Sequence, residues 1–309
     1  MNLPNDLQDK IDSLYFENQF KLQSVRKELT DRYKNSSGQG KSLIETKDDS
    51  ITYAIARMPA TYAVIFSLVE ELIGEGKLKD ISTIFDVGSG TGSGFFAVKQ
   101  LFENAAIELF ERDRNMIQVF SKLEPKQSVN LFDLSRDEFK AKADLVMCCY
   151  VLSEMGESER ISTVKKMLGS AEKYLLLIDT GTPRTYENFM TIKRLVLGEG
   201  YKILAPCESE KCGLVDDYCQ FYARVNRSKL QRMSKQAEQS YEDEKYFYLL
   251  IAKNTSEKQE RRVIRRPQIL TNMVNLKVCS ANGVENLKIT KKDKEFYKKA
   301  RKIKINETI

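Results

Sequence analysis

The stretch Ile84-Phe-Asp86-Val-Gly88-Ser-Gly90-Thr-Gly92 closes an apolar run with three glycines at alternate positions. A chain that leaves a strand and enters a helix within a few residues needs backbone angles that side chains disfavour, and glycine supplies them. A missing side chain also lets a ligand lie against the backbone. Residues 81–87 therefore read as a strand and 92–103 as the helix it feeds. Working outward, the spacing predicts strands over 107–110, 129–132, 145–149 and 174–178. Helices are predicted over 115–123, 157–171 and 186–197. Short apolar strands alternating with amphipathic helices mean a parallel sheet covered on both faces. Upstream, apolar residues recur at helical spacing over 7–34 and again over 49–75, where Pro59 should open a new helix. Downstream, an apolar run at 246–252 predicts an antiparallel edge strand, residues 261–290 read as short strands, and 291–304 form a basic segment.

Two ligands use such a turn. The dinucleotide fingerprint Gly-x-Gly-x-x-Gly fails, because Ser93 stands where its third glycine belongs. The pattern Asp86-x-Gly88-x-Gly90-x-Gly92 instead resembles motif I of class I S-adenosylmethionine (SAM) methyltransferases. That resemblance implies a turn packed against the methionine and sugar parts of the cofactor. Glu111 closes the second strand about 20 residues on, where a carboxylate can accept both ribose hydroxyls. Asp133 follows the third strand, where that family often contacts the adenine amino group. The plainer reading leaves Glu111 and Asp133 as solvent-facing loop acids. The fourth strand runs into Cys148-Cys149-Tyr150-Val-Leu-Ser-Glu154 and shows no recognisable catalytic signature. Cys148 and Cys149 read as small buried hydrophobes, and the catalytic residue is unknown. A second glycine cluster, Gly38-Gln-Gly40-Lys41-Ser42, superficially resembles a phosphate loop. It lacks the first glycine and a preceding strand, and reads as a connecting loop.

Composition narrows the chemistry. The 309 residues contain no His and no Trp, which removes imidazole acid–base catalysis, His-activated nucleophiles and His metal ligands. At 41% hydrophobic and 30% charged the chain is globular in composition. It carries no apolar run of membrane-spanning length. The N-terminus lacks a secretory pattern, which predicts a cytoplasmic protein or a processed matrix protein. The net charge of +6 is unevenly placed: residues 258–309 carry 15 basic against 5 acidic side chains. Such asymmetry points to nucleic acid, with a merely solvated tail as the alternative. Cys207, Cys212, Cys219 and Cys279 follow the spacing C-x4-C-x6-C, 59 residues, C. Four thiolates can hold a zinc ion or an iron–sulfur cluster, and four unrelated buried cysteines remain the alternative.

Further pieces of sequence, taken in order, resemble the Rsm22 family of mitochondrial small-subunit ribosomal proteins, methyltransferase-like ribosome assembly factors with bacterial relatives. They are Ala56-Arg-Met-Pro-Ala-Thr-Tyr62, the turn at 86–92, Glu111-Arg112, Tyr150-Val-Leu-Ser-Glu154, Gly181-Thr-Pro183, Ala205-Pro-Cys207, Asp217-Tyr-Cys219-Gln-Phe221, Tyr241-Glu-Asp-Glu-Lys245, Arg265-Arg-Pro267, Val278-Cys279 and Ala300-Arg-Lys302. The resemblance implies a class I SAM-methyltransferase, Rossmann-like doubly wound α/β sheet with N-terminal helices and a small β-containing basic C-terminal extension. The expected division is 1–80, helical; 81–255, SAM-binding with a cysteine-bearing insertion; and 256–309, basic extension. It implies SAM held by Asp86, Gly88, Gly90, Gly92, Glu111 and Asp133. It implies a [4Fe–4S] cluster on Cys207, Cys212, Cys219 and Cys279, with zinc as the alternative. The implied partner is the small ribosomal subunit and its rRNA, with no membrane, for a chain acting as a monomer. Asp179 replaces the family's usual Glu-Pro before Gly-Thr-Pro, and the His residues common near the first and third cysteines are missing. Phosphate contacts are expected from Arg261, Arg262, Arg265 and Arg266, and from Arg301 and the lysines between 291 and 304. A methyltransferase acting on rRNA, a non-catalytic assembly factor that binds SAM structurally, and a small-molecule methyltransferase are the three functional expectations; the basic tail and the four cysteines weigh against the third.

Overall fold

The computed structural model describes residues 1–18, 20–36, 43–207, 209, 210, 212–214, 216–253 and 260–309. The phosphate-loop-like stretch at 38–42 lies outside the described residues. In chain order the elements begin with α1 (Asn5–Asn18), α2 (Leu22–Ser36), α3 (Lys47–Ala56), α4 (Met58–Gly74), β1 (Thr83–Val87), α5 (Ser93–Leu101), β2 (Ala106–Glu111), α6 (Arg114–Leu123), β3 (Val129–Leu131), β4 (Ala143–Cys149), α7 (Glu157–Ser170), β5 (Ala171–Thr180) and α8 (Pro183–Gly198). They continue with β6 (Lys202–Ala205), β7 (Phe221–Asn226), α9 (Lys229–Lys235), β8 (Tyr241–Ala252), β9 (Arg262–Val263), β10 (Gln268–Ile269), β11 (Met273–Ser280), β12 (Gly283–Thr290) and α10 (Lys294–Ala300).

The chain divides into two compact units: Met1–Thr180 with Tyr222–Tyr246, and Gly181–Phe221 with Phe247–Ile309. The boundary expected at 80/81 falls within the first unit, and that at 255/256 within the second.

In the first unit the strands run β3-β2-β1-β4-β5, each pair parallel. Continuous burial along β1 and β4 follows from helices on both faces. This is a doubly wound parallel α/β sheet preceded by helices, as the sequence predicts. The single helix expected over 7–34 is two, α1 and α2. Pro59 lies in the first turn of α4, where its missing N–H costs nothing. Thr46 opens α3 with a capping box: its side chain accepts the Asp49 N–H, and Asp49 accepts the Thr46 N–H. Arg57, at the α3–α4 junction, donates to both carboxylate oxygens of Glu244, at 2.9 and 3.3 Å.

The apolar run at 246–252 forms the second half of β8, a strand as expected. Every residue from Tyr246 to Ala252 is buried, as a strand covered on both faces requires. In the second unit, β6 pairs antiparallel with the end of β8. The strands expected over 261–290 form a separate antiparallel sheet, β10-β11-β12 with β9 beside β11. Burial alternates along β11. Val274, Leu276 and Val278 pack with Ile289, Tyr297 and Ile303, while Lys277 and Cys279 occupy the opposite face. The basic segment after 291 contains α10. Among the described residues no single helix is long and apolar enough to cross a membrane.

Candidate functional site

The glycine turn meets two different demands. Gly88, Gly90 and Gly92 all have positive φ, at 71°, 54° and 95°. A Cβ on Gly88 would lie 2.3 Å from Val151 Cγ2, and one on Gly92 would lie 2.5 Å from the Phe120 ring. Those two glycines permit close packing. A Cβ on Gly90 would meet nothing within 4 Å, so Gly90 is the position with open space above it.

That space is a cavity lined by Gly88, Gly90, Glu111, Asp133, Tyr150 and Glu154, among others. Glu111 is 8% exposed. Its carboxylate accepts the Gly90 N–H at 2.8 Å and the Asp113 N–H at 2.8 Å. Burial raises its proton affinity against those two hydrogen bonds. Asp113 in turn caps α6 through the N–H groups of Asn115 and Met116. The end of β2 is thus stitched to the turn after β1. Asp133 reaches the cavity from a tight turn of its own, accepting the Ser135 hydroxyl and N–H at 2.7 and 2.9 Å. The Ser135 hydroxyl holds it below its ordinary pKa. Phe110 and Phe132 add apolar walls.

Asp86 and Gly92 are placed elsewhere. Gly92 does not line this cavity. Asp86 lines a smaller adjoining one with Ser89, Ser93, Cys149 and Tyr150. Asp86 is 2% exposed. Burial pushes its pKa up to about 7 against the Phe95 N–H it accepts, and Glu111 raises it further. Among the described residues, one Asp86 oxygen, the Ser89 hydroxyl and the Tyr150 hydroxyl are buried without hydrogen-bond partners. A ligand with polar groups at that end would satisfy them. Closely approachable backbone, two carboxylates at successive strand ends and orphaned polar atoms suit a nucleoside with a charged amino-acid tail, as SAM is.

Several lining residues carried no role in the sequence reading. Tyr33 and Tyr53 come from α2 and α3, with ring centroids 6.5 Å apart and nearly parallel. Tyr33 hydrogen-bonds Glu154, whose pKa burial pushes up to about 8, with Asp179 adding to the rise. Asp179 is fully buried and accepts the Ser153 and Thr180 N–H groups at 2.9 and 2.7 Å. Tyr150 takes φ +61°, unusual for an aromatic residue, at the end of β4. The strand ends pointed to Tyr150 and Glu154. Nothing in the helical periodicity of α2 and α3 singles out their two tyrosines.

In the second unit Cys207, Cys212, Cys219 and Cys279 line one cavity, with Tyr186 and Lys193 of α8. Alternation on β11 aims Cys279 away from the apolar core, onto the face that also carries Lys277. Asp217 accepts Lys277 Nζ at 3.0 Å and Arg265 Nη2 at 2.5 Å. Arg265 also donates to the Tyr218 carbonyl at 2.9 Å. These bonds tie the segment bearing Cys219 to the strand bearing Cys279. Tyr186 Oη lies 2.8 Å from Cys212 Sγ. Lys193, 3% exposed, donates to the Ser209 carbonyl at 2.5 Å. Lys193 falls on the buried stripe Phe189, Ile192, Val196 of α8, so a charge out of pattern was the available signal.

Burial pushes the Cys207 thiol up to about 11, with Lys193 opposing and Cys279 and Cys212 adding to the rise. Clustered thiols can all deprotonate only where positive charge compensates them, and a coordinated metal does so. Four thiols on one cavity are the donor type that a thiolate-bound metal centre would require. Among the described residues no group of three or more potential ligands already stands at metal-holding distances.

The basic residues divide. Arg262 is fully buried and donates to the Asn306 carbonyl, so it is withdrawn from any phosphate contact. Arg265 is committed to Asp217. Both belong to the small sheet's internal bonding, a role that sequence cannot tell from a surface one. Lys291, Lys292, Lys294, Lys298, Lys299, Arg301, Lys302 and Lys304 are all exposed.

The family model of mitochondrial small ribosomal subunit Rsm22 matches residues 47–307. No curated protein matches the chain. Among solved structures, magnesium protoporphyrin IX methyltransferase from Synechocystis PCC 6803, with bound SAM, is 15% identical with a TM-score of 0.43, covering 73% of this chain and 91% of that one. The plantazolicin methyltransferase BpumL, in complex with S-adenosylhomocysteine, is 14% identical with a TM-score of 0.46, covering 80% and 99%.

Proposed function

The chain belongs to the mitochondrial small ribosomal subunit Rsm22 family, and from that premise we propose that it is a SAM-binding methyltransferase-like factor that acts on small-subunit rRNA and carries a metal cluster. The observation that carries this reading is one cavity over Gly90, walled by Glu111 and Asp133 from two successive strand ends. There Glu111 would take the ribose hydroxyls and Asp133 the adenine edge, while the orphaned groups around Asp86 would face the amino-acid tail. SAM supplies an activated methyl group when bound. The chain's part is to position an acceptor against it, which asks little of an acid or base. Cys207, Cys212, Cys219 and Cys279 would hold a [4Fe–4S] cluster, or a zinc ion in the alternative. The exposed lysines after residue 290 would contact phosphates, setting position without reading sequence.

A second reading is a non-catalytic assembly factor that binds SAM structurally. It is favoured by the segment from Cys149 to Glu154, which brings no recognised catalytic signature to the cavity. Incubating the protein with methyl-labelled SAM and immature small subunits separates the two. Label in the rRNA is the expected result. No transfer by protein that demonstrably holds SAM rejects catalysis and leaves the second reading.

A further inference from the structure

The second unit has one face where apolar and basic groups are mixed. Among its described residues the large hydrophobics that stand exposed are Ile269, Leu270 and Phe296, at 50%, 48% and 38%. Ile269 and Leu270 adjoin the turn after β10, and Phe296 lies on α10, beside the Tyr297 that bonds to that turn. The turn between β10 and β11 is closed by the Leu270 N–H donating to the Met273 carbonyl at 2.9 Å. The Asn272 carbonyl in that turn accepts the Lys291 N–H at 3.2 Å, and the Thr271 carbonyl accepts the Tyr297 hydroxyl at 3.4 Å. The start of α10, with Phe296 beside the buried Tyr297, is therefore docked on the turn that carries Leu270.

Around these apolar groups stand Lys291, Lys292, Lys294, Lys298 and Lys299, all exposed. Among the described residues none of the five has an ion-pair partner. Between 291 and 304 the chain carries eight basic and two acidic residues. Cations alone would serve a duplex, whose outer surface is phosphate. Exposed apolar side chains inside a cationic field serve a strand whose bases are unstacked, because a base face needs an apolar or aromatic platform while its phosphates need charge. Grouped exposed apolar residues otherwise work against solubility and mark a contact surface.

We propose that this end of the second unit, Ile269 and Leu270 with Phe296 and the surrounding lysines, binds an unpaired loop of RNA, with a base laid on Phe296. This rests on the reading of the chain as an rRNA-binding factor and names the secondary structure it takes. The test is fluorescence anisotropy with the full chain and two RNAs of equal phosphate number, a hairpin with a single-stranded loop and a blunt duplex, across a salt series. The loop RNA is expected to bind about five-fold or more tighter than the duplex. F296A should erase that preference without changing the salt slope, and F296Y should restore it. K298E with K299E should weaken both RNAs and flatten the slope. Equal binding of loop and duplex by the wild type, or an unchanged preference in F296A, overturns the proposal while leaving RNA binding intact. Binding of neither RNA overturns both readings. Displacement of the loop RNA by polyglutamate at equal charge would also overturn it, and would assign the face to an acidic protein.

Discussion

At the scale of single residues, the glycine turn separates packing from binding. Gly88→Ala would put a methyl 2.3 Å from Val151 Cγ2 at φ +71°. The loss should be about 1–3 kcal/mol of stability, read as a lower urea midpoint; an unchanged midpoint would mean that the turn yields freely. Asp86 makes a different prediction. Its native pKa of about 7 stands above the ordinary 3.8, so between those values the folded chain holds a proton that the unfolded chain releases. Stability from this group must therefore fall as pH rises from about 4 to 7. Asp86→Asn should flatten that part of the stability–pH curve, and a slope equal to wild type would refute the buried-acid assignment. These roles were only half legible. Three glycines after an apolar strand announced the turn, but Gly92 packs closely against Phe120 while Gly90 is open, and spacing alone cannot tell a packing glycine from an open one.

At the scale of elements, alternation along β11 and one half-exposed aspartate-centred network bring distant cysteines together. Asp217 joins Lys277 on β11 to Arg265 and the segment that carries Cys219. Cutting it tests whether the thiols act as a set. On the proposed cluster, Asp217→Ala purified anaerobically should retain less than about half the iron of a wild type that carries it, while keeping its helix and sheet content. Full iron retention would show that this network does not position the ligands. The strands and helices of the parallel sheet were readable from period alone, because apolar runs buried on both faces admit few alternatives. The place of β8 was not. Its apolar run signals burial, but the pairing of its end with β6 depends on where β6 returns, and no local pattern encodes that. The same limit hid Arg262, which resembles its exposed neighbours in sequence and is buried under the C-terminal segment.

At the scale of the whole molecule, chemistry is divided along the chain. Carboxylates and glycines that suit a methyl donor lie in the first unit; thiols and the basic, partly apolar face lie in the second. The absence of histidine bears on both units. It removes imidazole acid–base chemistry from the first and leaves thiols, not imidazoles, as candidate ligands in the second. Whether the cavity over Gly90 holds SAM is decided by equilibrium dialysis of SAM against wild type and Gly90→Arg. An arginine there meets no atom within 4 Å at its Cβ, so it fills the cavity at about the 1–2 kcal/mol that a left-handed conformation costs an ordinary residue. The account predicts one SAM bound per wild-type chain and none per variant chain, with both chains folded. A wild type that binds no SAM, or a variant that binds it undiminished, would contradict it.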